Sequence, residues 1–181
     1  MDYTYCYDSP LGTMTMASDG DALVGLWFNG QRFFGATLDA RCETRRLPIF
    51  DETARWLDLY FARRAPDFNP KLTLRTTPFR RAIAETTRAI PFGAVSSYGA
   101  IATAYAERYG APRVSAQAVG AAVARNPIAI IIPCHRVLAR DGDLKGYAAG
   151  LDRKRALLEL ERGSALPTSL FAPNLRGRNI L

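Results

Sequence analysis

The chain carries a single histidine among 181 residues, and it directly follows a cysteine in Ile131-Ile132-Pro133-Cys134-His135-Arg136-Val137. The thiolate, not the thiol, is the nucleophile, and an unperturbed cysteine is mostly protonated at neutral pH. Activating Cys134 therefore calls for a base, and His135 is the only imidazole present. Adjacent side chains need not touch, so a water or a third group can carry the proton between them. The apolar run from Ile128 to Ile132 reads as a short buried strand or an apolar turn that would deliver the sulfur from a fixed support. On its own, a Cys-His dipeptide is more often a half-buried thiol beside a hydrogen-bonded core imidazole. The surrounding sequence decides between the two.

Two blocks of elements have to hold the pair. Residues 3–7, 12–17 and 22–28 are β-rich runs separated by Ser9-Pro10 and Asp19-Gly20-Asp21, which read as hairpin turns. Residues 50–62 place Leu57, Tyr60 and Phe61 at helical spacing behind Asp51, an acid suited to a helix N-terminus. A proline-rich stretch over 65–70 puts a domain boundary near 71–76. Beyond it the chain reads as helical. Pro78 opens a helix through about Ala89, Ser97 caps a second over 98–109, and Ser115 caps a third through Ala124. The last two, joined by a glycine-containing turn over 110–113, fit a slightly long helix-turn-helix.

Charge is unevenly placed. Residues 1–70 hold 7 Lys/Arg against 10 Asp/Glu, whereas residues 71–181 hold 17 against 7. A basic half joined to an acidic one points to a polyanionic partner. Three cysteines at irregular spacing argue against a disulfide framework, and with one histidine and no Cys-x-x-Cys they make no zinc site. Cys6 and Cys42 read as small core or surface residues. No apolar run approaches the roughly 18 residues of a membrane span. The first residues lack a signal-peptide pattern, so a cytoplasmic, nucleoid-associated location is expected.

Around the cysteine, Arg125-Asn126-Pro127, Ile130 to Val137, Gly142, Leu144, Gly146-Tyr147 and Gly150-Leu151 follow in order, then Arg153-Lys154, Leu157-Leu158 and Glu161. Upstream lie Thr77-Pro78-Phe79, Ile90-Pro91-Phe92-Gly93, Ser97-Tyr98-Gly99 and Ala118-Val119-Gly120. This pattern, dense from about Thr77 to Glu161 and weaker at Ser9-Pro10-Leu11-Gly12, resembles the O6-alkylguanine-DNA alkyltransferases. The resemblance implies an α/β N-terminal domain over 1–74, ribonuclease-H-like, with a small antiparallel sheet plus helix. A mostly helical C-terminal domain over 75–181 would follow, carrying the helix-turn-helix. It implies a monomer that binds double-stranded DNA containing O6-alkylguanine through the minor groove, with no cofactor and no metal.

The resemblance also assigns roles. Cys134 would take the alkyl group from guanine O6, once per molecule, after the nucleotide is rotated out of the duplex. His135 would receive the thiol proton through a bridging water, Glu161 would orient the imidazole, and Tyr98 would donate a hydrogen bond to the leaving guanine. Asn126 corresponds to a hinge residue and Lys154 to a support of the active-site loop. Gly146, Tyr147 and Ala148 would wall the base pocket. Ser115, Gln117, Arg125 and Arg136 complete the DNA- and substrate-binding set.

Three positions depart from the family pattern. Gln117 stands where an arginine finger is usual, which predicts weaker DNA affinity or slower flipping. Ala148-Ala149 replaces Ser-Gly and removes a hydroxyl. Ala84 and Thr87 replace larger apolar residues, which predicts looser packing of the first C-terminal helix. A DNA-binding sensor without repair activity, a cysteine hydrolase and a redox thiol protein are the competing readings. Cys134 itself, the lack of an oxyanion-hole motif and the lack of a nearby resolving cysteine argue against them in turn.

Overall fold

The computed structural model describes residues 1–163. Pro167, Pro173 and the basic Arg176-Gly177-Arg178 lie outside the described residues, as does the end of the domain expected over 75–181.

Strands β1 (Asp2–Ser9), β2 (Gly12–Ser18), β3 (Leu23–Phe28) and β4 (Cys42–Thr44) form one sheet in the order β3-β2-β1-β4. The first three pair antiparallel, but β4 lies parallel to β1, so the sheet is mixed and not antiparallel throughout. The three exposed residues of β4 carry no alternation that would announce a strand. Residues 29–41 bring β4 round to that edge, where the buried Asp2 carboxylate accepts the Asp39 N–H at 2.7 Å and pairs with Arg75 at 2.6 Å. Cys6 and Cys42 are exposed.

All six residues of β3 are buried, although a sheet-edge strand normally alternates. The cause is that later segments of the chain cover this edge. Leu23 exchanges backbone hydrogen bonds with Lys71 and Thr73, and Leu26 with Pro127 and Ala129. Gly25 permits the Trp27 indole to lie across the strand, since a Cβ there would sit 1.8 Å from the ring.

Helix α1 (Pro48–Phe61) starts with proline in its first turn and Asp51 behind it. Its buried residues, Ile49, Phe50, Thr53, Trp56, Leu57 and Tyr60, recur every three to four positions and face β1 and β2. Helix α2 (Pro78–Arg88) is capped by Thr77, which accepts the Arg80 N–H. Strand β5 (Ser96–Ser97) leads into α3 (Tyr98–Tyr109), capped by Ser97 and ended by Gly110 in the left-handed region. Helix α4 (Ala116–Val123), capped by Ser115, completes the helix-turn-helix. A two-residue β6 (Val137–Leu138) and α5 (Leu151–Glu161) follow.

Helices α2, α3 and α4 share a core of Ile83, Ile90, Ile101, Val119 and Val123. Ala84 and Thr87 are buried, with Thr87 Oγ1 donating to the Ile83 carbonyl at 2.8 Å. Their small side chains border a void of about 10 Å³, room for no more than about one water, that reaches Ile132 and Cys134. The larger core runs without a break from Leu11, Met14 and Phe28 through Tyr60 to Ile128–Ile132 and Leu157. The apolar segment before the cysteine is thus held by the N-terminal sheet.

Candidate active site

The segment carrying the cysteine touches the sheet once and then turns. Ile128 forms an isolated parallel bridge to Leu26. Two residues later Ile130 has φ 68, a left-handed backbone that a β-branched side chain rarely adopts. Such strain costs on the order of 1–3 kcal/mol and persists only where packing over-determines it. Here residues 128–132 are all buried. The apolar run is therefore a turn and not a strand. It ends in a 3₁₀ turn, Cys134–Arg136, whose continuation β6 pairs in parallel with β5, one residue before α3.

Asn126 ties the end of α4 to this turn. Its Oδ1 accepts the Ile128 N–H, and its Nδ2 donates to the carbonyls of Ile128 and Ile132. The same nitrogen lies 3.1 Å from Cys134 Sγ. Burial pushes the Cys134 thiol up, while the Asn126 amide and the charge of Lys154 pull against it. The resting sulfur is a neutral thiol with a hydrogen-bond donor already in place for a negative charge.

His135 is fully buried, and its Nε2 lies 2.7 Å from Glu161 Oε1. Burial pushes its pKa down against the pull of Glu161. A neutral imidazole that donates from Nε2 leaves Nδ1 as a free base, and Nδ1 has no partner among the described residues. Glu161 also accepts from Tyr60 at 2.7 Å, from Arg136 through Nε and a terminal nitrogen, and from the Gly93 N–H at 3.0 Å. Burial opposes its charge, but the hydrogen bonds from His135 and Arg136 prevail and hold it at about 2. Glu161 is thus a fixed anion that sets the imidazole tautomer.

Beside Cys134 is a cavity lined by Val123, Asn126, Ala129, Tyr147, Ala148 and Gln31 among others. Its volume is about 10 Å³, far below the roughly 300–1,000 Å³ of an occupied small-molecule site. The 146–149 loop forms one wall of this cavity. That loop is held by Lys154, fully buried, whose Nζ donates to the carbonyls of Val137 at 2.7 Å and Lys145 at 2.9 Å. The Tyr98 hydroxyl donates to the same Lys145 carbonyl at 3.0 Å. Arg153 reaches from α5 to the carbonyls of Leu11 and Ala149, which gives the Ser9–Gly12 turn a place in the arrangement.

Comparison with known proteins bears on this geometry. Residues 1–74 match the family model described as the ribonuclease-like domain of 6-O-methylguanine DNA methyltransferase, and residues 78–163 its DNA-binding domain. A methylated-DNA–protein-cysteine methyltransferase from Mycobacterium tuberculosis is 41% identical over 161 residues, covering 87% of this chain and 91% of the relative. The chain belongs to the 6-O-methylguanine DNA methyltransferase family. A relative of the same description from Methanosarcina acetivorans is 38% identical, over 88% of this chain and 97% of its own length. The crystal structure of Mycobacterium tuberculosis OGT in complex with DNA superposes with a TM-score of 0.77 at 38% identity, covering 92% of this chain and 96% of that one.

Against that family background, the structure brings together Cys134, His135, Glu161, Asn126, Tyr147, Ala148 and Lys154. Tyr98 stands at the edge, with its ring over Gly120 and its hydroxyl on the Lys145 carbonyl, so it must change partner to serve a base. Gly146 has φ 55, a conformation that suits glycine. Ser115 and Gln117 are exposed at the start of α4, and Arg125 is exposed beyond its end. Arg136 is a correction. Expected among the DNA- and substrate-binding residues, it is instead buried, because the 3₁₀ turn aims its guanidinium inward at Glu161 and the Ile90 carbonyl. Lys154, expected to support the active-site loop, faces the Val137 and Lys145 backbone carbonyls. Tyr60 and Gln31, both from the first half, were missed. Tyr60 looked like one more apolar position of α1, and nothing local marked Gln31. Among the described residues no cluster of three or more His, Cys, Asp or Glu side chains could hold a metal, and no helix is long and apolar enough to cross a membrane.

Proposed function

We propose that the chain repairs DNA by direct reversal, moving the alkyl group of O6-alkylguanine in a duplex to Cys134. The observation that carries this reading is a cysteine with a hydrogen-bond donor at its sulfur, beside a small cavity and a buried imidazole nitrogen that has no partner among the described residues. The relatives named above act on methylated DNA and transfer to protein cysteine, as their descriptions say.

In the proposed reaction the α3–α4 unit lies in the minor groove and Gln117 fills the gap left by the displaced nucleotide. As Cys134 Sγ attacks the alkyl carbon, its proton passes through a water to His135 Nδ1. The C–O6 bond breaks as the S–C bond forms, and the electron pair leaves on guanine. Tyr98 then supports the charge developing on the base. Because thiol and imidazole both start neutral, the proton moves during attack and not before it. The product thioether is not hydrolysed, so each molecule acts once.

Intact-mass spectrometry after incubation with a duplex containing one O6-methylguanine tests this. The expected result is a gain of one CH2 equivalent, mapped to Cys134 and saturating at one equivalent. An unchanged mass with the duplex still bound would move the reading to a damage sensor. Loss of the methyl group with the thiol left free would establish a hydrolase.

A further inference from the structure

The cavity beside Cys134 is walled in part by the N-terminal half. Gln31, in the turn after β3, lines it together with Cys134, Asn126, Tyr147 and Ala148. Its side chain is held in a defined pose: Oε1 accepts the Phe28 N–H at 3.0 Å, and the residue is only 8% exposed. The amide nitrogen occupies the other branch of the carboxamide and makes one contact, to the Arg32 carbonyl at the outer limit of 3.5 Å. A carboxamide nitrogen carries two hydrogens, so that single contact leaves one of them over. This donor capacity sits unused at the wall of a pocket.

The turn that carries Gln31 is fastened to two other walls of the site. The Arg32 N–H donates to the Ala148 carbonyl at 3.0 Å. Phe33, in the left-handed region at φ 62, takes the Arg32 guanidinium on its ring at 4.6 Å and that of Arg125 at 4.4 Å. Gln31 therefore keeps its place relative to both the 146–149 loop and the end of α4.

We propose that Gln31 is a specificity-determining residue: its Nε2 donates a hydrogen bond to a ring nitrogen, N3 or N7, of the displaced guanine. The proposal rests on the reading of Cys134 as alkyl acceptor. It makes the sheet domain a reader of the base and not only a support.

Single-turnover transfer from a duplex with O6-methylguanine is compared with transfer from matched duplexes holding its 3-deaza or 7-deaza analogue. The proteins are wild type, Gln31→Glu and Gln31→Met. Glutamate keeps an oxygen for the Phe28 N–H and loses the donor; methionine keeps the approximate shape and loses both. Losing one well-placed hydrogen bond to substrate should slow each variant by about ten- to a hundredfold on the parent base. One deaza analogue should slow wild type by a similar factor and slow Gln31→Glu no further. Reaction of Cys134 with iodoacetamide should stay within about twofold of wild type. If wild type and Gln31→Glu lose equally on both analogues, or the variants lose iodoacetamide reactivity in step with transfer, Gln31 is only a wall and the proposal fails. Absence of transfer by wild type from any duplex would instead bring down the alkyl-acceptor reading, and this proposal with it.

Discussion

Tyr60 and His135 share one oxygen. The Tyr60 hydroxyl and the His135 Nε2 each lie 2.7 Å from Glu161 Oε1, although Tyr60 belongs to α1 and is separated from Glu161 by 101 residues. The ring of Tyr60 stacks on Trp56 and meets Phe92 edge-on, which holds its hydroxyl against Glu161 Oε1, with His135 Nε2 3.3 Å away. A donor fixed in this way makes the carboxylate a weaker base, and so a weaker pull on the imidazole proton.

Replacing Tyr60 by Phe keeps the aromatic packing and removes that donor. A hydrogen bond to a charged group is worth roughly 1.5–3 kcal/mol, and a loss of this size is expected in denaturant melts at pH 7.5. Glu161 becomes more basic, so His135 holds its proton more tightly and the acid limb of the rate profile moves up in pH. An unmoved acid limb would mean that Tyr60 only packs.

Asn126→Ala leaves the Ile128 N–H without its acceptor and takes from the Ile128 and Ile132 carbonyls one of two donors each, the other being a backbone N–H. With each lost hydrogen bond costing about 1 kcal/mol, a destabilisation of about 2–4 kcal/mol is expected. The thiol also loses the donor that opposes its burial, so the Cys134 pKa should rise further. Titrating thiolate absorbance, or the pH dependence of iodoacetamide reaction, reads this directly. A pKa that stays put or falls would show that the 3.1 Å contact does not serve the thiolate.

Acid should weaken the fold in two stages. Both His135 and Glu161 have pKa values below those of the unfolded chain, so the unfolded state takes up protons first. The contribution of His135 is complete above its unfolded value near 6.5 and is lost as pH falls below it. That of Glu161 is complete above about 4.5 and disappears towards about 2, amounting to roughly 3 kcal/mol. Urea midpoints measured from pH 8 down to about pH 2 should decline from about 6.5 downward, and Glu161→Gln should flatten the lower stage, below about 4.5. A midpoint constant down to pH 5 would contradict the buried neutral imidazole.

Lys154→Met should free the loop more than it harms the core. Burial lowers the Lys154 pKa to about 8, so its charge is costly in place, and stability should rise between about pH 8 and pH 10.5 in wild type only. Without the ammonium, the Val137 and Lys145 carbonyls lose their common anchor. Amides over 145–150 should exchange at least about tenfold faster, which corresponds to about 1.4 kcal/mol of lost protection. Unchanged exchange there would assign Lys154 to core packing alone.

Gln117→Arg tests the exposed start of α4. A new cation against phosphate should raise duplex affinity at low salt and steepen the salt dependence by about one counterion. The transfer step itself should keep its rate once DNA is saturating. No change in either affinity or salt slope would remove residue 117 from the interface.

Local signals were enough for the helices. Pro78, Ser97 and Ser115 mark starts that the structure places at the same residues, and Gly110 marks the end of α3, because caps and left-handed turns act within a few residues. The sheet was less legible. β4 is three exposed residues held parallel to β1 by contacts from far along the chain, and β3 is buried by partners about 50 and 100 residues away. The Cys134–His135 pair stood out through residue type. Arg136, Tyr60 and Gln31 did not, because where a side chain points depends on turns and packing partners that no local window contains.

The covering of the β3 edge also sets a schedule. Leu26 finds its backbone partners only when Pro127 and Ala129 exist, some hundred residues later in the chain. At about 5–20 residues per second, a growing chain waits roughly 5–20 s between making that apolar strand and making the segment that shields it. During that interval the nascent protein presents an open, hydrophobic β-edge, the kind of surface on which chains cross-associate. The segment that closes it is the one that ends in Cys134. If each molecule acts once, as proposed, every repaired lesion calls for a new chain, and each new chain passes through this interval with its β3 edge open.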